Sequence, residues 1–367
     1  MINKKENYTF RTLYLMAIVF VIDGHIPLEG ELFNFGGLFR YYSFHMMLFM
    51  FCSGYFFKEQ GFLEGTIRDI KKIIIPLYIW NCFYGILSVG LSSILGMKTS
   101  QGLSLYTLTL APILDGQQFA INNAAWFLFP LFAVKMIYRT VDRLFKKNRY
   151  REMIFLCISL LIGCFCVNLC RNGGQEIFPL VLLRIAILLP GYVMGVLYRN
   201  RLEKWDVIPT ELYLIIIILL RLILCTVTEN LAYIVSDCTY FATGGFGVYF
   251  GGILAIAFYL RIARLLNPLI QKSRILLYLS RNTFSIMMHH KIGFLCLNII
   301  FLFLNWMRIG AVDFSLDAFR TVESYVYAPQ GKAEWAILYV IVGLMVPWII
   351  SKISDRITHN REFLQIR

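Results

Sequence analysis

AAWFLFPLFAVKMIYRTVDRLFKKNRYREMIFLCISLLIGCFCVNLC (124–170) sets two long apolar runs on either side of a short basic turn. Each run comes close to the ~20 residues that a helix needs to cross a hydrocarbon core. Lipid offers backbone groups no partners, so such runs satisfy their own hydrogen bonds as helices. The turn RTVDRLFKKNRYR (139–151) carries six Lys and Arg, which marks it as cytoplasmic. Outward from this pair, eight more apolar runs are centred on 12–27, 38–57, 73–95, 177–198, 207–228, 240–262, 282–306 and 334–355. The first run ends in VIDGHIP with no small-residue cleavage site, and is read as a retained helix.

Charge fixes the orientation. With the N-terminus (Lys4, Lys5, Arg11) inside, the inner segments are 58–72, 139–151, 199–204, 261–281 and the C-terminal tail. On that reading 25 of the 35 Lys and Arg lie inside, six lie at the outer side, and four lie within runs. An odd number of spans would scramble the alternation. The expected fold is therefore all-α: a polytopic membrane bundle of about ten transmembrane helices, both termini cytoplasmic, in one domain over 1–367. The composition agrees, with 58% hydrophobic and 16% charged residues, against about a quarter charged in soluble domains. The net charge of +13 is explained by topology, and no nucleic-acid partner is needed. Eight of the nine cysteines lie in apolar runs; Cys164, Cys166 and Cys170 sit close together but without nearby His or carboxylate, so helix packing explains them and no metal site is expected. Cys238 stands apart, in an outer loop with no obvious partner. The outer loops 97–123 and 307–333 carry apolar and aromatic residues, and are expected to fold over the outer mouth.

Ionisable residues inside spans are candidates for function, because lipid gives them no partner. Asp23 and His25 lie near the outer end of the first run, and Arg40 and His45 near that end of the second. The ninth run carries His289, His290 and Lys291. Arg184 and Arg221 lie mid-span, either as paired structural charges or as holders of an anionic group. Plainer readings stand beside these: Arg40 snorkelling to headgroups, Asp23 terminating its helix, a histidine serving in packing. Arg11 and His25, fourteen residues apart, fall within about 40° of one helix face and about 21 Å apart along it. That face joins an inner cation to an outer imidazole. His289 falls in the inner half of its run and His25 in the outer half, so the two need not share one site.

Five segments, in order, resemble the acyltransferase type 3 family of integral membrane O-acyltransferases. They are the first helix ending in His25, FHMMLFMFCSGYFFK (44–58), IIIPLYIW (73–80) after a basic turn, AAWFLFPLF (124–132), and RNTFSIMMHHKIGF (281–294). The last is similar to the family's S-x-x-I-Y-x-x-H helix, with His289 read at the histidine position. The resemblance implies transfer of an acyl group, usually acetyl from acetyl-CoA as donor substrate, with no bound cofactor. The implied acceptor is a hydroxyl of an extracytoplasmic glycan or lipid-linked sugar, and the implied setting is the plasma membrane, with membrane lipids as neighbours. Since no esterase-like segment follows the tenth run, the stand-alone kind is expected, as found with exopolysaccharide and surface-glycan modification. Two positions depart from the family pattern. Tyr14 stands where the family places Arg or Lys, with ten residues between it and the first-helix His; Arg11 lies one turn earlier, and Met47 replaces a proline.

Acyl transfer to a hydroxyl needs a base, and His25 is the expected one, with His45 as second proton acceptor or substrate orienter. Arg11, Arg68, Lys71 and Lys72 are expected to meet the phosphates of a CoA donor, though such loop cations also serve only topology. Ser53 and Trp126 are expected to line the site or pack. The competing class is an exporter of a polysaccharide or lipid-linked intermediate, against which no inverted repeat is visible.

Overall fold

The computed structural model describes residues 7–28, 35, 37–98, 101–228, 230–310, 313–322 and 325–364, with side chains through Ile353. Lys4 and Lys5, which helped orient the chain, lie outside the described residues, as do the side chains of the tail beyond Ile353. Every apolar run forms a helix. In chain order these are α1 (Tyr8–Gly24), α2 (His45–Tyr55), α3 (Phe62–Leu95), α4 (Ala120–Leu144), α5 (Arg151–Arg171), α6 (Leu180–Trp205), α7 (Thr210–Val227), α8 (Gly245–Lys272), α9 (Thr283–Trp306) and α10 (Ala336–Leu364). Among the described residues no β-strand forms, and one isolated bridge joins Ile234 to Thr239.

Among the described residues eight helices, α3 to α10, are long and apolar enough to cross a membrane. The two others are shorter: α1 has 17 residues and α2 has 11. At ~1.5 Å per residue, α2 covers about half of a ~30 Å hydrocarbon core. Sequence explains both short ends. Asn7 caps α1 by accepting the Phe10 N–H at 3.2 Å. At the other end Gly24 and Pro27 close it, and the His25 N–H turns back to the Ile22 carbonyl at 3.1 Å. A tight turn, Tyr41–Ser43, leads into α2.

The short helices lie at the centre. No residue of α1 or α2 is exposed and most are buried, and α6 and α8 are each 72% buried over their apolar windows. By contrast α7 is 17% and α5 28% buried, with Leu161, Ile215 and Leu219 pointing outward as lipid-facing side chains do. Close backbone approach seats α2 on α6: a Cβ on Gly54 would collide with the Tyr192 carbonyl, and one on Gly195 with that of Phe51. The spacing Gly191-x-x-x-Gly195 on α6 is the small-residue pattern that lets membrane helices meet at this distance.

The two ends of the bundle are built differently. At the end holding the basic turns, carboxylates knit the helices: Asp69 takes Lys135 at 2.6 Å and also Arg139, Asp206 takes Arg261 and also Arg264 at 2.6 Å, and Glu152 takes Arg201 at 2.9 Å. At the other end the two long loops fold inward. The first forms short helices Leu105–Thr109 and Ala111–Leu114, then runs into a tight helical stretch, Ala120–Phe127, that makes the start of α4. The second packs onto α9 and α10, where Asn298 donates to the Tyr325 carbonyl at 2.8 Å and the Tyr327 N–H to the Tyr339 hydroxyl at 2.9 Å.

Candidate active site

The end of α1 and the start of α2 open onto one cavity of about 250 Å³. His25 and His45 both line it, half-buried, with Gly24, Tyr42, Phe49, Asn123, Trp126, Phe127 and residues 233–237 around them. The premature ends of α1 and α2 thus place two imidazoles inside the bundle instead of at its surface.

The ring partners assign the tautomers. His290 on α9 directs Nδ1 at the Met287 carbonyl, 2.9 Å away, and at that of Ile286. A carbonyl only accepts, so Nδ1 carries the hydrogen and His290 Nε2 keeps a lone pair. That Nε2 stands 3.2 Å from His25 Nδ1, which also reaches the Val21 carbonyl at 2.7 Å. His25 Nδ1 is therefore the N–H donor to both, and its Nε2 keeps the lone pair. His45 is held likewise, with Nδ1 on the Tyr41 carbonyl at 2.7 Å. Two cavity-lining imidazoles are thus fixed as Nε2 acceptors, and His25 is backed by a second histidine that accepts its N–H. A base oriented by a third group is the arrangement that proton abstraction from a hydroxyl requires.

Buried cations hold the cavity walls. Arg184 on α6 donates to the Ser236 carbonyl at 2.8 Å and to the Asp115 carbonyl at 2.8 Å, and stacks over Trp126 at 5.0 Å. It thereby ties the 115–118 segment to the 233–238 segment, and Gln117 adds a bond to Asp237 at 2.8 Å. Lys291 on α9 donates to the Ala120 carbonyl at 3.1 Å. Arg221 does comparable work away from the cavity, reaching the Leu38 carbonyl at 2.8 Å, the Gly251 carbonyl at 3.0 Å and the Ser43 hydroxyl at 2.9 Å. Among the described residues neither arginine forms an ion pair, so both are structural clamps on backbone carbonyls. Cys238 also has a partner: its thiol donates to the Val235 carbonyl at 3.5 Å. Among the described residues no three His, Cys, Asp or Glu converge as metal ligands would.

A family profile described as an acyltransferase domain matches residues 13–352, nearly the whole chain. The chain belongs to the acyltransferase type 3 family. No curated protein and no solved structure is detectably similar to it. The acyltransferase assignment and the many apolar helices together make this a membrane acyltransferase.

Within that family frame, the structure separates the residues singled out by sequence. His25, His45 and Trp126 line the cavity. Asp23 is buried in the last turn of α1, while Arg40 is exposed beside Arg221 in a different depression. The Ser53 hydroxyl lies 3.5 Å from that of Tyr14, the position where the acyltransferase family carries a cation. Arg11 sits in the first turn of α1, at the far end of the helix from His25. Arg68, Lys71 and Lys72 lie at the start of α3, outside the cavity, Lys71 and Lys72 exposed and Arg68 bonded to Gln60. Gln60 lines a separate groove of about 510 Å³ with Arg139, Arg143 and Lys146.

The ninth-run histidines divide. His289 faces α3, where the Tyr84 hydroxyl lies 2.6 Å from its Nδ1 and the Trp80 ring packs edge-on at 4.2 Å. His290 is the one that reaches His25. The S-x-x-I-Y-x-x-H spacing, counted from Ile286, also lands on His290, and that count is the signal that sequence reading passed over. Asn123, Gln117 and Asp237 gave no signal at all, because polar residues are ordinary in loops.

Proposed function

We propose that this acyltransferase moves an acyl group, acetyl from acetyl-CoA, onto a hydroxyl of an extracytoplasmic or lipid-linked glycan, with His25 as general base. The observation that carries the proposal is the His25–His290 hydrogen bond at the wall of a cavity inside the bundle. The acceptor hydroxyl gives its proton to His25 Nε2 as its oxygen attacks the thioester carbonyl. His290 Nε2 accepts the His25 Nδ1–H and steadies the imidazolium that forms. Collapse of the tetrahedral intermediate breaks the C–S bond, and the proton passes from His25 to the departing thiolate. A base of this kind contributes about 10²- to 10⁴-fold. His45, whose Nε2 is an acceptor, orients the acceptor's other hydroxyls, and the Asn123 amide faces the same space as a donor for the oxyanion.

The donor approaches from the cytoplasmic face. Arg68, Lys71 and Lys72 at the start of α3, with Arg143 and Lys146 along the neighbouring groove, meet its phosphates, and Arg11 stands on the α1 face that leads toward His25. This goes with ten crossings, both termini cytoplasmic, in the plasma membrane, which sets residues 115–123 and 233–238 on the acceptor side. The test is glycan O-acetylation in cells lacking the protein, rescued by wild type or by His25→Ala. Loss of acetate on deletion, restored by wild type alone, is the expected result. Persistent acetylation with reduced glycan export would point to a transporter. Full rescue by His25→Ala would remove His25 as the base.

A further inference from the structure

Toward the basic end of the bundle α5 and α8 part. Nearer the other end they touch: a Cβ on Gly163 would strike the Tyr249 hydroxyl, and one on Gly245 would strike Cys164. From there α5 keeps to α6, while α7 leans on α8. Arg261 fixes that second pair, donating to the Ile208 carbonyl at 3.0 Å and stacking on the Tyr213 ring at 4.1 Å. Between the two pairs the divergence leaves a cleft of about 420 Å³.

The bottom of the cleft is made of buried side chains: Phe51 of α2, Leu197 of α6, and Ile256 and Leu260 of α8. Its edges are exposed, at Leu202, Ile208 and Ile253. Ile253 precedes Arg261 by two helical turns, so the cleft reaches about 12 Å into the apolar length of α8. Among the described residues Asp206 is the one charged group that lines it. Water finds almost no partners on such walls, and an empty space of this size forfeits contacts for every atom around it. In a membrane protein the medium beside the open edge is hydrocarbon, and pockets of this volume hold one small ligand, here one chain.

The mouth suits a headgroup. Trp205 is exposed there, with Lys204 over its ring at 5.3 Å, and the Tyr198 hydroxyl donates to Asp206 at 2.7 Å. Such residues mark the level where hydrocarbon meets water. Arg199, Lys204, Arg261 and Arg264 stand against Glu203, Asp206 and Glu211, which leaves one positive charge in surplus. Arg201 and Glu152 offset each other at 2.9 Å.

We propose that the cleft holds one acyl chain of a phospholipid from the leaflet at the basic end, with the phosphate beside Lys204 and Arg264. The site is separate from the His25 cavity and independent of the reaction assigned there. It bears on that cavity through packing. The chain lies on Phe51, whose ring stands 6.0 Å from that of Phe10 on α1 and 5.5 Å from that of Tyr198. Phe51 belongs to α2, the short helix that begins at His45, so the bound chain completes the seat of that helix.

The experiment uses the full-length protein in nanodiscs of phosphatidylglycerol with a photoactivatable diazirine in one chain. Half the sample is moved to unlabelled nanodiscs before illumination, and adducts are mapped by peptide mass spectrometry. Adducts at Met194, Ile256 and Ala257 in the cleft should survive the move. Those at the outward residues Leu161, Ile215 and Leu219 should fall at least tenfold. Ala257→Phe fills the cleft and should lose the surviving adducts. Ile253→Trp closes its exposed edge without entering the core, and should do the same if Ala257→Phe fails to fold. A diacylglycerol with the same chain, which lacks the phosphate, should label the cleft about threefold less. Cleft adducts that wash out as fast as the outward ones overturn the proposal, as does their persistence in folded Ala257→Phe or Ile253→Trp protein. Equal labelling by the diacylglycerol overturns the assignment to a phospholipid.

Discussion

His289 and His290 are neighbours on one helix, yet they serve different regions of the molecule. His290 turns toward α1, spends Nδ1 on carbonyls of its own helix, and offers Nε2 to a cavity-lining imidazole. His289, about 100° further round, turns toward α3 and is enclosed by Tyr84 and Trp80. Both are buried, so burial does not distinguish them. What does is the partner: a second titratable ring at a cavity in one case, a phenol in packed helix in the other. An intramembrane histidine is thus a candidate for function only until its partner is seen.

The sharpest test of that contrast is His290→Ala. Removing His290 leaves the His25 tautomer held by the Val21 carbonyl but takes away the ring that would steady the imidazolium of the proposed base. We expect kcat for acyl transfer to fall about 100-fold or more with the acceptor KM little changed. His290→Gln, which can still accept from His25 Nδ1, should recover part of that loss. A His290→Ala enzyme within threefold of wild type would break the pairing.

The clamps give the next effect. Arg184 and Arg221 are both buried guanidiniums on carbonyls, but Arg184 holds the cavity wall and Arg221 holds the approach to α2 at another face. Replacing either by Met strands two buried carbonyls, and charged hydrogen bonds of this kind contribute about 1.5–3 kcal/mol each. Both variants should therefore lose thermal stability. Arg184→Met alone should also raise the acceptor KM, by about tenfold. Equal acceptor KM values in the two variants would mean that the 115–118 and 233–238 segments do not shape the site.

How much of this was legible beforehand follows from the same physics. Helix positions were readable because lipid admits only long apolar runs, and all ten runs became helices. That α1 and α2 would be short was written in VIDGHIP and in the turn before His45, but a window average hides a helix that stops inside the protein. His25, His45 and Trp126 stood out because ionisable and aromatic groups are conspicuous in an apolar run. The loop residues were not: Gln117, Asn123 and Asp237 acquire meaning only when Arg184 draws two distant segments together. Arg184 itself was visible as a buried charge, and the sequence left open whether it held an anion. It holds backbone, because a guanidinium's five donors suit carbonyls as well as phosphates.

The smallest expected effect completes the contrast. His289→Gln keeps a polar group beside Tyr84, and Tyr84→Phe removes the phenol oxygen that lies 2.6 Å from His289 and 2.9 Å from the Met288 carbonyl. His289→Gln forfeits at most one neutral hydrogen bond and Tyr84→Phe up to two, at about 1 kcal/mol of stability each. Neither touches the cavity, so acyl transfer should stay within about threefold of wild type once matched for folded protein. Both variants cut the Tyr84–His289 contact, and Tyr84→Phe also strands the Met288 carbonyl, so it should be the less stable of the two. Were His289→Gln to cost as much activity as His290→Ala, the face of α9 toward α3 would belong to the reaction path. The donor would then have to pass between α3 and α9 on its way to His25, and the Tyr84–His289 contact would be a gate instead of packing.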